Sequence, residues 1–82
     1  MINKQTSYIL FLEKLRATRI AQKLTQAQLA NKLKLSRAQY TAIENGRSLI
    51  NFSHLHNLAM ALNVQFTIGN NGVTINVEHS MP

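Results

Sequence analysis

The stretch LTQAQLANKLKLSRAQYTAIENGR, residues Leu24 to Arg47, carries two apolar sets at helical spacing, in two short predicted helices that only three residues separate. Thr25 precedes the first set, Leu29, Ala30 and Leu33. Gln28 follows Thr25 at the spacing of a capping box, in which a Thr side chain takes a backbone N–H of the first turn and a Gln side chain returns the favour to the cap residue. A helix is predicted from about Gln26 to Leu33. Ser36 is the next cap candidate and opens a helix with Tyr40 and Ile43 at apolar i and i+3 positions. That helix is predicted to stop at Asn45-Gly46, because glycine takes the left-handed conformation past a helix end without steric cost.

On the N-terminal side, Leu12, Leu15, Arg19 and Leu24 follow a helical stripe, and Ser7 is placed to cap a helix over about Tyr8 to Gln22. Lys14, Arg16 and Lys23 are assigned to its wet side. On the other side, Asn51 caps a segment in which Phe52, Leu55, Leu58, Ala59 and Leu62 recur at helical spacing. It ends at Asn63, the non-glycine residue best suited to a left-handed position. The character of the chain changes there. Val64, Phe66 and Ile68 alternate with polar residues, as do Val73, Ile75 and Val77, about Gly69-Asn70-Asn71-Gly72, which predicts a β-hairpin. A turn at Asn70-Asn71 pairs Ile68 with Val73, and one at Asn71-Gly72 pairs Ile68 with Ile75; both keep the apolar residues on one face. Such a face needs a cover, either the helices of the same protomer or the hairpin of a second copy. The expected organisation is therefore a helical domain over residues 1–63 and a hairpin and tail over 64–82 that serves dimerisation.

Composition narrows the chemistry. The 82 residues make one small domain, which buries only about two-thirds of its unfolded surface and gains from a partner. Nine Lys and Arg stand against three acids, Glu13, Glu44 and Glu78, for a formal charge of +6 and a pI near 10.4. A polyanionic partner follows. Three scattered Glu residues supply no carboxylate pair for acid–base work, so no enzyme is expected. Without cysteine there is no disulfide and no thiolate zinc site, and a reducing compartment is expected. His54 and His56 lie two apart on a helix and do not face each other, so no metal or other cofactor is expected. The aliphatic and aromatic run Ile9-Leu10-Phe11-Leu12 is far short of the roughly 20 residues of a membrane span. With no secretory signal pattern either, the expected location is cytoplasmic.

Two short helices about a tight turn, with apolar residues at 29, 33, 35, 40 and 43, match the geometry that sets a second helix in the major groove of DNA. From about Leu15 to Leu62 the chain resembles the Cro/CI-type helix-turn-helix family, the xenobiotic response element class. The likeness is carried by Leu24-Thr25-Gln26, Gln28-Leu29-Ala30, Ser36 and Ile43-Glu44-Asn45-Gly46-Arg47. It implies a mainly α fold, a four- to five-helix lambda-repressor-like DNA-binding domain, here followed by the C-terminal β-hairpin.

The resemblance also assigns DNA-binding roles. It implies that Gln26 donates to a backbone phosphate and braces the end of the recognition helix, which Ser36 opens. Arg37, Ala38 and Thr41 match positions that face base edges or the flanking phosphate, with Ala42 one turn further along. Arg37 is the candidate for a bidentate guanine contact. Ala38 and Ala42 are too short to hydrogen-bond a base, so they offer thymine-methyl contacts or clearance, and DNA shape carries more of the readout. Asn45, Gly46 and Arg47 match the place where the chain leaves the helix beside phosphates. Arg19 and Glu44 match an internal ion pair. Lys34 stands where the family commonly has glycine, at a position expected to need positive φ. Tyr40 replaces the usual Ile or Val, with its ring in the core and its hydroxyl expected to reach outward to backbone or phosphate.

The passage Ala61-Leu62-Asn63-Val64-Gln65-Phe66-Thr67-Ile68 resembles antitoxins of the HipB type, whose last helix runs straight into a strand of the dimer's sheet. The implied function is a sequence-specific repressor that binds double-stranded DNA as a homodimer on an inverted-repeat operator. It would silence its own operon and serve as antitoxin to a HipA-like kinase toxin. The alternative is a phage Cro/CI-like repressor or a restriction-modification controller with no toxin partner. Either implies a bacterial or phage-encoded, nucleoid-associated protein. An RNA-binding module is disfavoured, since five aromatics, most of them at core positions, leave no stacking platform.

Overall fold

The computed structural model describes the backbone over residues 4–69 and 72–76 and the side chains over residues 8–66. It is mainly helical, with four helices, α1 (Lys4–Ala21), α2 (Gln26–Lys32), α3 (Arg37–Glu44) and α4 (Phe52–Leu62), followed by two short strands, β1 (Gln65–Gly69) and β2 (Gly72–Asn76). α1 starts at Lys4, so Ser7 is inside the helix and not its cap. Nothing between Lys4 and Ser7 breaks a helix, and a serine within a turn costs too little to stop one.

One device ends every helix. Among the described residues, the left-handed ones are Lys23, Lys34, Gly46 and Asn63, one beyond each of the four helices. After α2, Leu35 N–H reaches Ala30 O at 2.9 Å and Lys34 N–H reaches Asn31 O at 3.1 Å, the paired bonds of a Schellman motif. Leu24 to Arg19 (3.1 Å), Arg47 to Ala42 (2.9 Å) and Val64 to Ala59 (3.1 Å) repeat its longer bond. Lys34 takes φ 59° as its glycine-like position requires, and Lys23 takes φ 60° at a place that was not predicted. Lysine in this conformation costs on the order of 1 kcal/mol, which the satisfied carbonyls offset.

The core forms where α1, α2, α3 and α4 meet. Leu15, Leu29, Tyr40, Leu58 and Leu62 are its largest fully enclosed side chains, joined by Phe11, Leu12, Leu33, Leu55 and Val64. Phe52 departs from its expected place, standing 77% exposed at the first position of α4. Ile50 takes the apolar slot instead, packing against the core while Tyr8 Oη accepts its N–H at 3.2 Å. The Phe52 stripe position has thus run past the end of the core.

Asn63, at φ 54°, turns α4 directly toward β1, and Gln22 Nε2 donates to Leu62 O at 2.6 Å, fastening the end of α1 to the end of α4. The strands run antiparallel with Phe66 opposite Ile75, Ile68 opposite Val73 and Gly69 opposite Gly72. β2 lies along α1, and Phe66 meets Phe11 edge-on with ring centroids 5.6 Å apart. The connection at Asn70-Asn71 and the segment from Val77 onward lie outside the described residues.

Candidate nucleic-acid interface

Each of the two helices of the motif is fixed at its start by the same reciprocal pair. Thr25 Oγ1 accepts from Gln28 N–H at 3.0 Å while Gln28 Oε1 accepts from Thr25 N–H at 2.8 Å. Ser36 and Gln39 repeat this at 3.0 Å and 2.8 Å. The second box stands at the same sequence spacing as the first, although only the Ser36 cap itself was predicted. Together the boxes set where α3 begins, and therefore which side chains its first turn presents. Each contributes about 1 kcal/mol to its helix.

The far end of α3 is held by one carboxylate. Glu44 accepts from Arg19 Nε at 2.8 Å and Nη2 at 3.1 Å, from Tyr40 Oη at 2.6 Å and from Gln26 Nε2 at 3.1 Å. Arg19 also donates through Nη1 to Leu24 O at 2.7 Å, and Thr41 Oγ1 donates to Gln26 Oε1 at 3.0 Å. Glu44, only 6% exposed, therefore ties α3 to both α1 and α2. Burial pushes its carboxyl upward, but hydrogen bonds from Arg19, Tyr40 and Gln26 outweigh it and hold the carboxyl below the ordinary carboxylate range. The Arg19 guanidinium is raised, first by its bond to Glu44. Burial and then the bond to Glu44 push the Tyr40 phenol well above its usual value, so it remains a proton donor.

This network corrects one expectation and refines others. The Tyr40 hydroxyl turns inward to Glu44 and does not reach toward backbone or phosphate, because the enclosed ring places its oxygen beside a buried carboxylate that satisfies it. Gln26 braces the end of α3 through both halves of its amide, which leaves one Nε2 N–H outside these bonds. Thr41 is half-buried and gives its proton to Gln26, and Ala42 is half-buried, with its carbonyl taken by Arg47 and Ser48 N–H. Ser36, Arg37 and Ala38 are exposed at the start of α3, and Asn45 and Arg47 are exposed at its end.

Beside α3 lies an open groove of about 650 Å³, rimmed by Arg16, Thr25, Gln26, Arg37 and Asn45, with the buried Arg19–Glu44 pair on its inner wall. Arg16 is the member that sequence reasoning missed. It stands three residues before Arg19, on the neighbouring edge of α1, so an Arg19 pinned to Glu44 brings Arg16 to the side of α3. Among the described residues, Arg19–Glu44 is the one ion pair. Among the described residues, no carboxylate pairs with the guanidinium groups of Arg16 and Arg37 that this groove turns to solvent. Among the described residues, no three His, Cys, Asp or Glu side chains gather to hold a metal.

A capped pair of short helices, a buried ion pair beneath the second and basic side chains around it define a helix-turn-helix. The family model described as Helix-turn-helix matches residues 15–68, and the chain belongs to that family. It is a DNA-binding transcription regulator of the xenobiotic response element type. No curated protein and no solved structure matches it. No helix among the described residues is long and apolar enough to cross a membrane.

Proposed function

We propose that this protein is a non-enzymatic repressor that binds an inverted-repeat operator as a homodimer, in the promoter of its own operon. The observation that carries the reading is the α3 helix itself. Its first turn is open, with Arg37 and Ala38 exposed, while Glu44, Arg19 and Gln26 hold its other end. In this reading Arg37 reads a base edge, Ala38 and Ala42 meet thymine methyls or leave clearance, and Ser36, Gln26, Asn45 and Arg47 serve the adjoining backbone, with Thr41 serving it by holding Gln26 in place. A dimer is supported by apolar side chains the protomer leaves in water, Ile9, Leu10 and Ile20 on α1 among them. The protomer extends 35 × 34 × 21 Å, about one turn of duplex along its longer axes, so two abreast suit half-sites about 34 Å apart.

Footprinting on the protein's own upstream region tests this. Two protected half-sites centred roughly 10 base pairs apart are expected. Arg37→Ala should weaken operator binding by about 1–3 kcal/mol and relax discrimination at one base pair, whereas Arg47→Ala should weaken all duplexes alike and flatten the salt dependence. Identical behaviour of the two variants would refute the division of roles.

A second reading, that the repressor is also the antitoxin of a HipA-like kinase toxin, is favoured by the direct passage from α4 through Asn63 into β1. Co-expression with the neighbouring reading frame should yield a complex that survives Arg37→Ala. Absence of any partner would leave the alternative, a phage-type repressor or restriction-modification controller.

A further inference from the structure

We propose that Arg16 is a DNA ligand, holding one backbone phosphate in the groove between α1 and the start of α3. The inference rests on the DNA-binding reading above and adds to it a residue on a helix outside the helix-turn-helix pair. Three observations carry it. Arg16 and Arg37 line one groove from two different helices, and neither has an ion-pair partner among the described residues. The one carboxylate of that groove, Glu44, is already occupied by Arg19, Tyr40 and Gln26. The groove also offers donors beside Arg16. The Thr25 hydroxyl oxygen accepts from Gln28 N–H and keeps its own proton to give, and Gln26 Nε2 keeps one N–H beyond its bond to Glu44. The exposed Asn45 amide, which also lines the groove, adds another.

A concavity offering donors and positive charge selects an anion with several acceptor oxygens, and a guanidinium grips two of them at once. A phosphate projects from the wall of the duplex, as this groove requires. A base edge lies deeper and is reached by side chains that point off the tip of a helix. A phosphate held by Arg16 leaves the Arg37 fork free for the base it reads. Arg16 thereby sets the height of α3 in the major groove, as phosphate contacts position a protein that base contacts then make specific.

The test uses the full-length protein and fluorescently labelled duplexes over a range of salt. Arg16→Gln should lower affinity for the operator and for a scrambled duplex by the same factor, about tenfold, and reduce the slope of log affinity against log salt by about 0.9. Arg16→Lys should restore the slope and only part of the affinity. Replacing the facing phosphate with an uncharged methylphosphonate should weaken the native protein and leave Arg16→Gln unchanged. Thermal melting of Arg16→Gln should match the native protein, since the side chain is exposed. Native affinity and slope in Arg16→Gln, alongside lost discrimination in Arg37→Ala, would overturn the phosphate site and leave the repressor reading intact. A loss confined to the operator would overturn it too, by making Arg16 a base reader. If the native protein ignores every duplex, both the repressor reading and this site fall together.

Discussion

Glu44→Ala lowers the free energy of unfolding by about 3–5 kcal/mol, a large share of the roughly 5–15 kcal/mol that holds a small domain together. The magnitude comes from what is left behind. Without the carboxylate, the buried Arg19 guanidinium loses the acceptor for Nε and Nη2, and Tyr40 Oη and Gln26 Nε2 lose theirs. Each stranded polar group carries its own desolvation cost, and the charged one carries the most. Arg19→Lys should be nearly as damaging as Arg19→Ala, because one ammonium cannot reach the two Glu44 oxygens and Leu24 O together in the geometry the guanidinium uses.

The same residue sets an acid limit. Because the folded carboxyl is held below its ordinary value of 4.5, its contribution is fully present above that pH and is lost as pH falls through the lower folded value. Chemical denaturation from pH 7 down to 3 should therefore show stability of the native protein falling steeply below about pH 4.5. The low, flatter curve of Glu44→Gln should converge on it in acid. Parallel curves would mean that other carboxylates dominate and that Glu44 is less tightly held than its bonds indicate.

How much of this was legible depends on the range over which each cause acts. The boundaries of α2 and α3 follow from neighbours three residues apart, Thr25 with Gln28 and Tyr40 with Ile43, so sequence alone reaches them. The same holds for Asn51 as the cap of α4 and Asn63 as its left-handed end, where one residue's own preferences suffice. The Arg19–Glu44 pair lies 25 residues apart and was expected only through the family resemblance. Lys23 escaped notice because nothing in lysine favours positive φ; the Leu24 N–H bond to Arg19 O imposes it. Phe52 was misplaced because a stripe records which residues share a face and not where the core stops beneath it. Arg16 is exposed, as its place on the wet side of α1 predicts, but its place beside α3 is not legible in the sequence. Its role depends on α3 lying alongside α1, and no local pattern reports that.

Leu29→Ala should destabilise the protein by about 2–5 kcal/mol, lowering the melting temperature by at least about 10 °C, and should do so through α2, the helix that braces the end of α3. Leu29 is wholly enclosed, and it and Ala30 are the buried residues of α2. A helix of seven residues is far below the length of about 12–15 that holds in water unaided, so α2 exists because its apolar edge is docked. Once the docking weakens, Gln26 withdraws from Thr41 and Glu44, and the end of α3 loses its brace. DNA binding should fall with the folded fraction and recover when operator duplex is in excess, since a ligand at about 100 times its dissociation constant stabilises the folded state by roughly 2.7 kcal/mol. Arg37→Ala should show the opposite pattern, with native melting and weakened binding that excess duplex does not restore to native discrimination. Melting curves of both variants with and without duplex separate the two causes. A native melting temperature in Leu29→Ala would show that α2 is seated by something other than its buried leucine.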